Sequence, residues 1–444
     1  MRVPIRRRPR VAFVLIALIM VVLAAACAGS NEDQIASEGG GDGLDATADA
    51  GSGTSAPVDD TPGVPGDLEV IPDSDAGVTE DTIHIGIHAP ETLSGIDIGS
   101  ILGLRPLTEA YWDTVNQNGG INGRMVDVTL VNDQYNATGA VDACRQLVDD
   151  DLLFVSGTSG ADQVVACAQV VTGAGIPYLS LGVTAAGLTD TPGYRAITLP
   201  YDAQAPIAAR YLVDELGAEP ATTAMIRFGG ANSDGVHEAF VQAIEGYGGS
   251  LAVDDAVDKD GNPNELTAEC LKLEENGVEF VFVVAAPSVT RVLVEACAAQ
   301  GVEPTYLMAA NTAGCSTRPP LYGPAFDGCL QMSGSRLPEA SDSPLVEEAH
   351  AEWEARNPGV DFPENGEGFW GLFDIYREAM TQAGDDLTTH TFLQAVDALE
   401  YDNGLSNPVR FAPGSRVGGT GVVIWQAEAA TEGFTEVVSE YLEP

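Results

Sequence analysis

This sequence of 444 residues predicts an α/β chain of two lobes, each built on a mainly parallel sheet with helices on both faces. Segments with strand alternation take turns with helical-period segments of ten to fifteen residues, the pattern of parallel strands joined by crossover helices. Strands such as Phe280–Ala285 are apolar without a break, as a sheet covered on both faces requires. The stretch from about Thr79 to Pro444 is also too long for one ordinary core of roughly 100 to 200 residues, so two are expected.

The first series opens with Thr82–Ala89 (TIHIGIHA), which alternates like a strand. A helix over Leu104–Asn116 ends at the Gly-rich turn 118–124, and Val126–Asn132 reads as the next strand. A helix near Ala140–Asp149, a short strand at Leu152–Val155, a helix over Asp162–Thr172 and a strand at Pro177–Leu181 complete it. After Pro200 the pattern resumes with a helix at Pro206–Leu216, placed there because proline suits a first turn. A strand Thr222–Arg227, helices Gly235–Tyr247 and Leu266–Asn276, the strand Phe280–Ala285 and a helix Val289–Gln300 follow. Residues 333–400 are helical and rich in aromatics and acids, and strand character returns at Gly421–Gln426 and Thr435–Glu440.

The amino terminus carries five arginines within ten residues, then an apolar run from Val11 to Ala26 that ends at Cys27, the layout of an export signal. The junction resembles the bacterial lipoprotein cleavage box, which implies a lipidated Cys27 and a chain held on the outer face of the cell membrane. Ala24 stands where that box carries a bulky aliphatic residue, so ordinary signal cleavage and an uncleaved anchor remain the alternatives. The run is shorter than the roughly 20 residues of a spanning helix.

Loss of residues 1–26 leaves 66 acidic against 15 basic groups, a net charge of −51 that repels nucleic acid and anionic headgroups. Residues 27–78 contain twelve acids, no basic residue and few large apolar groups, and are expected to form a self-repelling tether. Six cysteines remain beyond Cys27, and an even number in an exported chain favours disulfides. Pairing nearest neighbours is the simplest arrangement: Cys144–Cys167, Cys270–Cys297 and Cys315–Cys329.

Catalytic signatures are missing. No serine lies in GxSxG, neither lysine (Lys259, Lys272) sits in a P-loop, and there is neither HExxH nor a G-x-G-x-x-G after a strand. His84 and His88, four apart on a strand, are about 13 Å from each other, too far to share an ion. Asp258, Asp260 and Asn262 imitate the start of a calcium loop, but Pro263 occupies the position that needs glycine. No metal and no cofactor is expected.

Several stretches together resemble the leucine/isoleucine/valine-binding family of bacterial solute-binding proteins, the type I periplasmic binding fold that serves ABC importers. They are Gly77-Val78-Thr79 with TIHIGIHAPETLSG (82–95), NQNGGINGR (116–124), VDVTLVNDQYNATGAVDACRQLV (126–148), GIPYLSLGVTAAGLT (175–189), LTAECLKLEENGVEFVFVV (266–284) and ENGEGFWGLFDIYREAMTQAG (364–384). The resemblance covers roughly residues 77–440. It implies two Rossmann-like lobes, 79–200 with 333–412 and 201–332 with 413–444, joined by a three-crossover hinge and closing over a small polar solute. It further implies a monomer that performs no chemistry and hands the solute to a membrane permease, and it adds weight to the Cys144–Cys167 pair.

By the same resemblance the ligand loops are Ser156–Ala161, with Thr158 and Ser159 as carboxylate donors, and Ser180–Thr184, with Gly182 and Thr184. Ser94 and Ser100 line the first lobe. The usual acid after the strand ending near Met308 is replaced by Asn311, and Tyr201 stands at the usual aspartate with Asp202 beside it, so either Asp202 meets an ammonium or the ligand lacks one. Helix capping is the alternative role for the Ser and Thr residues. A sensory receptor of the same fold and a hydrolase using cleft carboxylates are the alternative functions.

Overall fold

The computed structural model describes residues 71–444 apart from 94–95, 98, 100–102, 158–159, 181–187, 259–260, 311, 313–314, 316–322, 364–365 and 431–432. The strands are β1 (Thr82–Ala89), β2 (Thr92–Leu93), β3 (Ile96–Asp97), β4 (Met125–Asn132), β5 (Val155–Gly157), β6 (Tyr178–Ser180), β7 (Tyr194–Ala196) and β8 (Thr223–Phe228). They continue as β9 (Val253–Val257), β10 (Phe280–Val284), β11 (Thr305–Met308), β12 (Leu330–Ser333), β13 (Glu400–Tyr401), β14 (Val409–Arg410), β15 (Val422–Glu428) and β16 (Gly433–Leu442). The helices are α1 (Leu104–Gln117), α2 (Ala137–Val148), α3 (Ala161–Gly173), α4 (Tyr201–Arg210), α5 (Asp234–Gly246), α6 (Pro263–Glu275), α7 (Pro287–Gln300), α8 (Pro344–Arg356), α9 (Gly366–Ala383) and α10 (Thr389–Asp397).

Two sheets result. The first has the order β4-β1-β5-β6-β7 and is parallel throughout. The second has the order β16-β15-β12-β11-β10-β8-β9, parallel from β12 to β9, with β15 and β16 antiparallel at one edge. These are the two mainly parallel sheets expected from the alternation of strands and helices. Ile83, Ile85 and Ile87 of β1 are fully buried beside Leu107 and Tyr111 of α1 and Trp370, Phe373 and Tyr376 of α9. On the second sheet Ile226, Val281 and Val283 pack against Leu266 and Leu273 of α6 and Leu293 of α7. Truncating any of these to alanine costs about 2 to 5 kcal/mol.

The chain passes between the sheets at three adjacent places. Ala196 bridges to Val417, Ser335 bridges to Ser406, and the Arg336 amide donates to the Leu405 carbonyl at 2.8 Å. Arg195, fully buried, clamps α10 onto the first sheet through Asp397, with Nη2 to Oδ2 at 2.7 Å.

Differences from the sequence reading have local causes. The helix after Pro200 starts at Tyr201, so Pro206 lies inside it rather than at its first turn. Strand β5 begins at Val155 because Leu152, Leu153 and Phe154 are buried as an approach segment and only Val155–Gly157 pairs with β1 and β6. Residues 71–78, read as the end of the tether, belong to the folded body. Ile71 is 4 % exposed, the Thr389 hydroxyl donates to the Pro72 carbonyl at 3.0 Å, and the Thr389 amide donates to the Ser74 carbonyl at 2.8 Å.

The six cysteines pair as neighbours, with Cα–Cα separations of 5.4, 5.0 and 6.1 Å. Cys144–Cys167 ties α2 to α3 and Cys270–Cys297 ties α6 to α7, while Cys315–Cys329 closes the loop between β11 and β12. Each loop of this length restricts the unfolded chain by about 3 kcal/mol.

Candidate functional site

In open parallel sheets ligands gather at the carboxyl ends of the strands, where loops are free to supply polar groups. At this end of the first sheet lies a buried polar chain. His88, next to last in β1, faces Asp133 through Nδ1 at 2.8 Å and Tyr178 of β6 through Nε2 at 2.7 Å, and all three are fully buried. Burial drives the Tyr178 phenol well above its ordinary range, so it stays neutral. Gly157, at the end of β5, leaves room for this pair; a Cβ there would collide with the Tyr178 hydroxyl and with His88 Nε2.

Asp133 has a second task. Its Oδ1 accepts the Tyr135 amide at 2.9 Å, across a turn in which Gln134 and Tyr135 both adopt left-handed backbone angles, φ 57 and 53. Two successive non-glycine residues in that region are costly and persist only where the surroundings fix them. The outcome is that Tyr135 stands half-buried at the strand ends, near Asp162 in the first turn of α3. Burial, then the charges of Asp133 and Asp162, raise its phenol.

The opposing surface comes from the second half of the chain. Tyr201 opens α4, is 6 % exposed, and has its phenol raised by burial and then by the neighbouring Tyr135. Asn232, in the turn after β8, donates Nδ2 to Asp162 Oδ1 at 2.7 Å and so links a second-sheet loop to a first-sheet helix. Asp202 is half-buried, and burial raises its carboxyl above the ordinary aspartate value despite the Ala203 amide donated at 3.0 Å. Among the described residues no cation contributes to that shift, so within them the charge is uncompensated.

Of the residues singled out in the sequence, Tyr201 and Asp202 therefore lie at the strand ends. Ser94, Ser100, Thr158, Ser159, Gly182, Thr184, Asn311 and Cys27 fall outside the described residues. Their flanks are in place: Gly157 ends β5, Gly160 caps α3, Ser180 ends β6, and Ala310 donates its amide to the buried Gln204 Oε1 of α4 at 2.8 Å. His84 and His88 have structural partners, His84 holding Thr129 at 2.8 Å. Among the described residues His88, Cys144 and Cys167 place potential metal donors within 4.8 Å, but both sulfurs are bonded to each other. Asn262, from the calcium-like run, caps α6 by accepting the Asn264 amide at 3.0 Å.

Sequence reasoning missed Tyr135, Asp162 and Asn232. Tyr135 lies between the strand read to Asn132 and the helix read from about Ala140, in a segment where Asn136 is the N-cap of α2. Nothing in Asp133-Gln134-Tyr135 announces left-handed backbone, since glycine is absent.

A family model described as periplasmic binding protein matches residues 82–431. A curated relative, the leucine-, isoleucine-, valine-, threonine-, and alanine-binding protein of Pseudomonas aeruginosa, is 23% identical over 205 residues, 46% of this chain. The matched region spans 53% of that relative, about half its length. Among solved structures, a fatty acid ABC transporter substrate-binding protein from Thermomonospora curvata superposes with a TM-score of 0.69 at 19% identity, covering 85% of this chain and 95% of that one. A branched-chain amino acid ABC transporter protein from Thermus thermophilus with bound valine gives 0.69 at 17% identity, covering 83% and 98%. A solute-binding protein from R. palustris in complex with 4-hydroxybenzoate gives 0.68 at 15%, covering 82% and 98%.

Proposed function

The chain belongs to the periplasmic binding protein family, and from that premise we propose that it is the extracytoplasmic receptor of an ABC importer. It captures a small polar solute by closing residues 79–200 with 333–412 against 201–332 with 413–444, and delivers it unchanged to a membrane permease. The observation that carries this reading is the meeting of Tyr135 and Asp162 with Tyr201 and Asn232 at the strand ends of two sheets joined by three adjacent crossovers. Such an arrangement supplies two facing walls and a hinge, and ligand energy is spent on the closed state.

The loops bearing Ser94, Ser100, Thr158, Ser159, Gly182, Thr184 and Asn311 complete the pocket in this proposal, with Tyr201 as a wall and Asp202 as the acceptor for any ammonium. Cys27 carries the lipid that keeps the receptor at the outer face of the membrane, and the acidic stretch after it gives reach. A thermal-shift screen across amino acids, amides, aromatic acids and fatty acids tests the reading. A true ligand at 100 times its dissociation constant adds about 2.7 kcal/mol of stability, and recovery of that ligand unaltered separates a receptor from a hydrolase. No shift across all four classes overturns the proposal.

A further inference from the structure

Arg227 is the next-to-last residue of β8 and sits at the carboxyl end of the second sheet, in register with Val284 of β10 and Ala256 of β9. Among the described residues it has no hydrogen-bond or ion-pair partner, and its Nε is buried without one. The protein carries 66 acids, and Arg105, Arg195, Arg336, Arg356 and Arg377 each hold a carboxylate. A half-buried guanidinium that finds none in such company gives up strong hydrogen bonds that an external anion could supply.

The surroundings leave space for that anion. Arg227 emerges on the same face as Met225, which packs with Val236 and Phe240 of α5, but two residues nearer the strand end. Beyond it the chain runs through Gly229 and Gly230, and a Cβ at Gly230 would meet nothing within 4 Å. The neighbouring β10 ends at Val284 and is followed by Ala285 and Ala286, again small. Asp202, the other unpaired charge at the strand ends, draws no benefit from Arg227, so the two do not neutralise each other.

Resting on the receptor reading, we propose that Arg227 anchors the anionic group of the solute, and that this group is a single carboxylate. One guanidinium matches one carboxylate in a two-point fork, whereas a dianion would leave a charge uncompensated in a strongly acidic protein. The anion is then met from the second sheet.

The test measures binding of 3-methylbutanoate, benzoate and octanoate, each beside its primary amide, to the full chain and to the Arg227→Gln and Arg227→Lys variants. At least one acid should bind ten-fold or more tighter than its amide. Arg227→Gln should abolish that preference while leaving amide binding unchanged, and Arg227→Lys should keep part of it. The melting point of the ligand-free Arg227→Gln protein should not fall, because the side chain has no partner to lose. Acid-over-amide preference that survives in Arg227→Gln overturns the assignment of Arg227 alone, as does binding of amides with no gain for acids. If none of these acids or amides binds while another solute shifts the melting point in the wider screen, the carboxylate anchor fails and the receptor reading stands; silence in both overturns both.

Discussion

Asn232 and Asp162 meet at 2.7 Å, an amide donating to a carboxylate across the line between the second-sheet loops and the first-sheet helices. Asp162 lies in the first turn of α3, where the helix N-terminus already favours its charge, so the acceptor is held in place without Asn232. On the receptor reading proposed above, the contact acts as a latch rather than as a support for either half. Asn232→Ala should leave the unfolding free energy within about 0.5 kcal/mol and weaken solute binding by about 1.5 kcal/mol, roughly ten-fold, as expected for a hydrogen bond to a charged group. Titration calorimetry with the best solute from the screen checks this, and unchanged affinity would show that the contact does not distinguish closed from open.

Tyr135 is the second wall residue, and its placement follows from a chain of causes that starts in the core. His88 fixes Asp133, Asp133 fixes the amide of Tyr135, and the left-handed turn then directs the ring toward Tyr201. Tyr135→Ala should cut affinity five- to thirty-fold, since an aromatic wall contributes about 1 to 2 kcal/mol beyond simple exclusion of water. Tyr135→Phe should keep most of it. Equal binding by wild type and Tyr135→Ala for every solute tested would remove Tyr135 from the site.

Asp202 sets a pH dependence whose sign follows from its environment. Burial raises its carboxyl in the folded protein above the ordinary value of about 3.9 that it has when unfolded. The folded state therefore binds the proton more readily, and the carboxyl costs stability that grows as the pH rises above about 3.9 and is complete once the pH exceeds the folded value. Asp202→Asn should stabilise the ligand-free protein at neutral pH, with the gain vanishing as the pH falls below about 3.9, where both states are protonated. Urea titrations at pH 7 and pH 3.5 measure it. If a solute ammonium sits on Asp202, the same variant should lose affinity while gaining stability, a divergence that a purely structural aspartate would not produce.

The fold was legible because its signals are periodic. The run TIHIGIHA and the unbroken apolar Phe280–Ala285 could hardly be anything but strands, and both form interior strands of their sheets. Strand β9 was missed because Val253–Val257 is an edge strand with adjacent Asp254 and Asp255 at its middle, so it reads as a charged loop. The candidate site was less legible. Tyr201 and Asp202 are reached from the sequence through the family resemblance, at the position after the crossover that follows Pro200, whereas Asn232 and Arg227 carry no local pattern. Their importance lies in what they meet or fail to meet across the fold, which no spacing encodes.

The folded body reaches back to Ile71, and this can be measured directly. Ile71 is buried, and its side chain packs where a Cβ on Gly193 would touch it at 3.0 Å. The backbone of residues 72–74 meets α10 through Thr389, and His390 Nε2 reaches the Ile71 carbonyl at 2.5 Å. A protein starting at residue 79 loses one buried aliphatic side chain, worth about 1.5 to 3 kcal/mol, and two or three hydrogen bonds of about 1 kcal/mol each. It also leaves the Thr389 and His390 groups at the start of α10 without partners. Compared with a protein starting at residue 70, it should unfold at distinctly lower urea, by about 3.5 to 6 kcal/mol in all, with the same solute specificity. Equal stability of the two would place residues 71–78 with the tether after all.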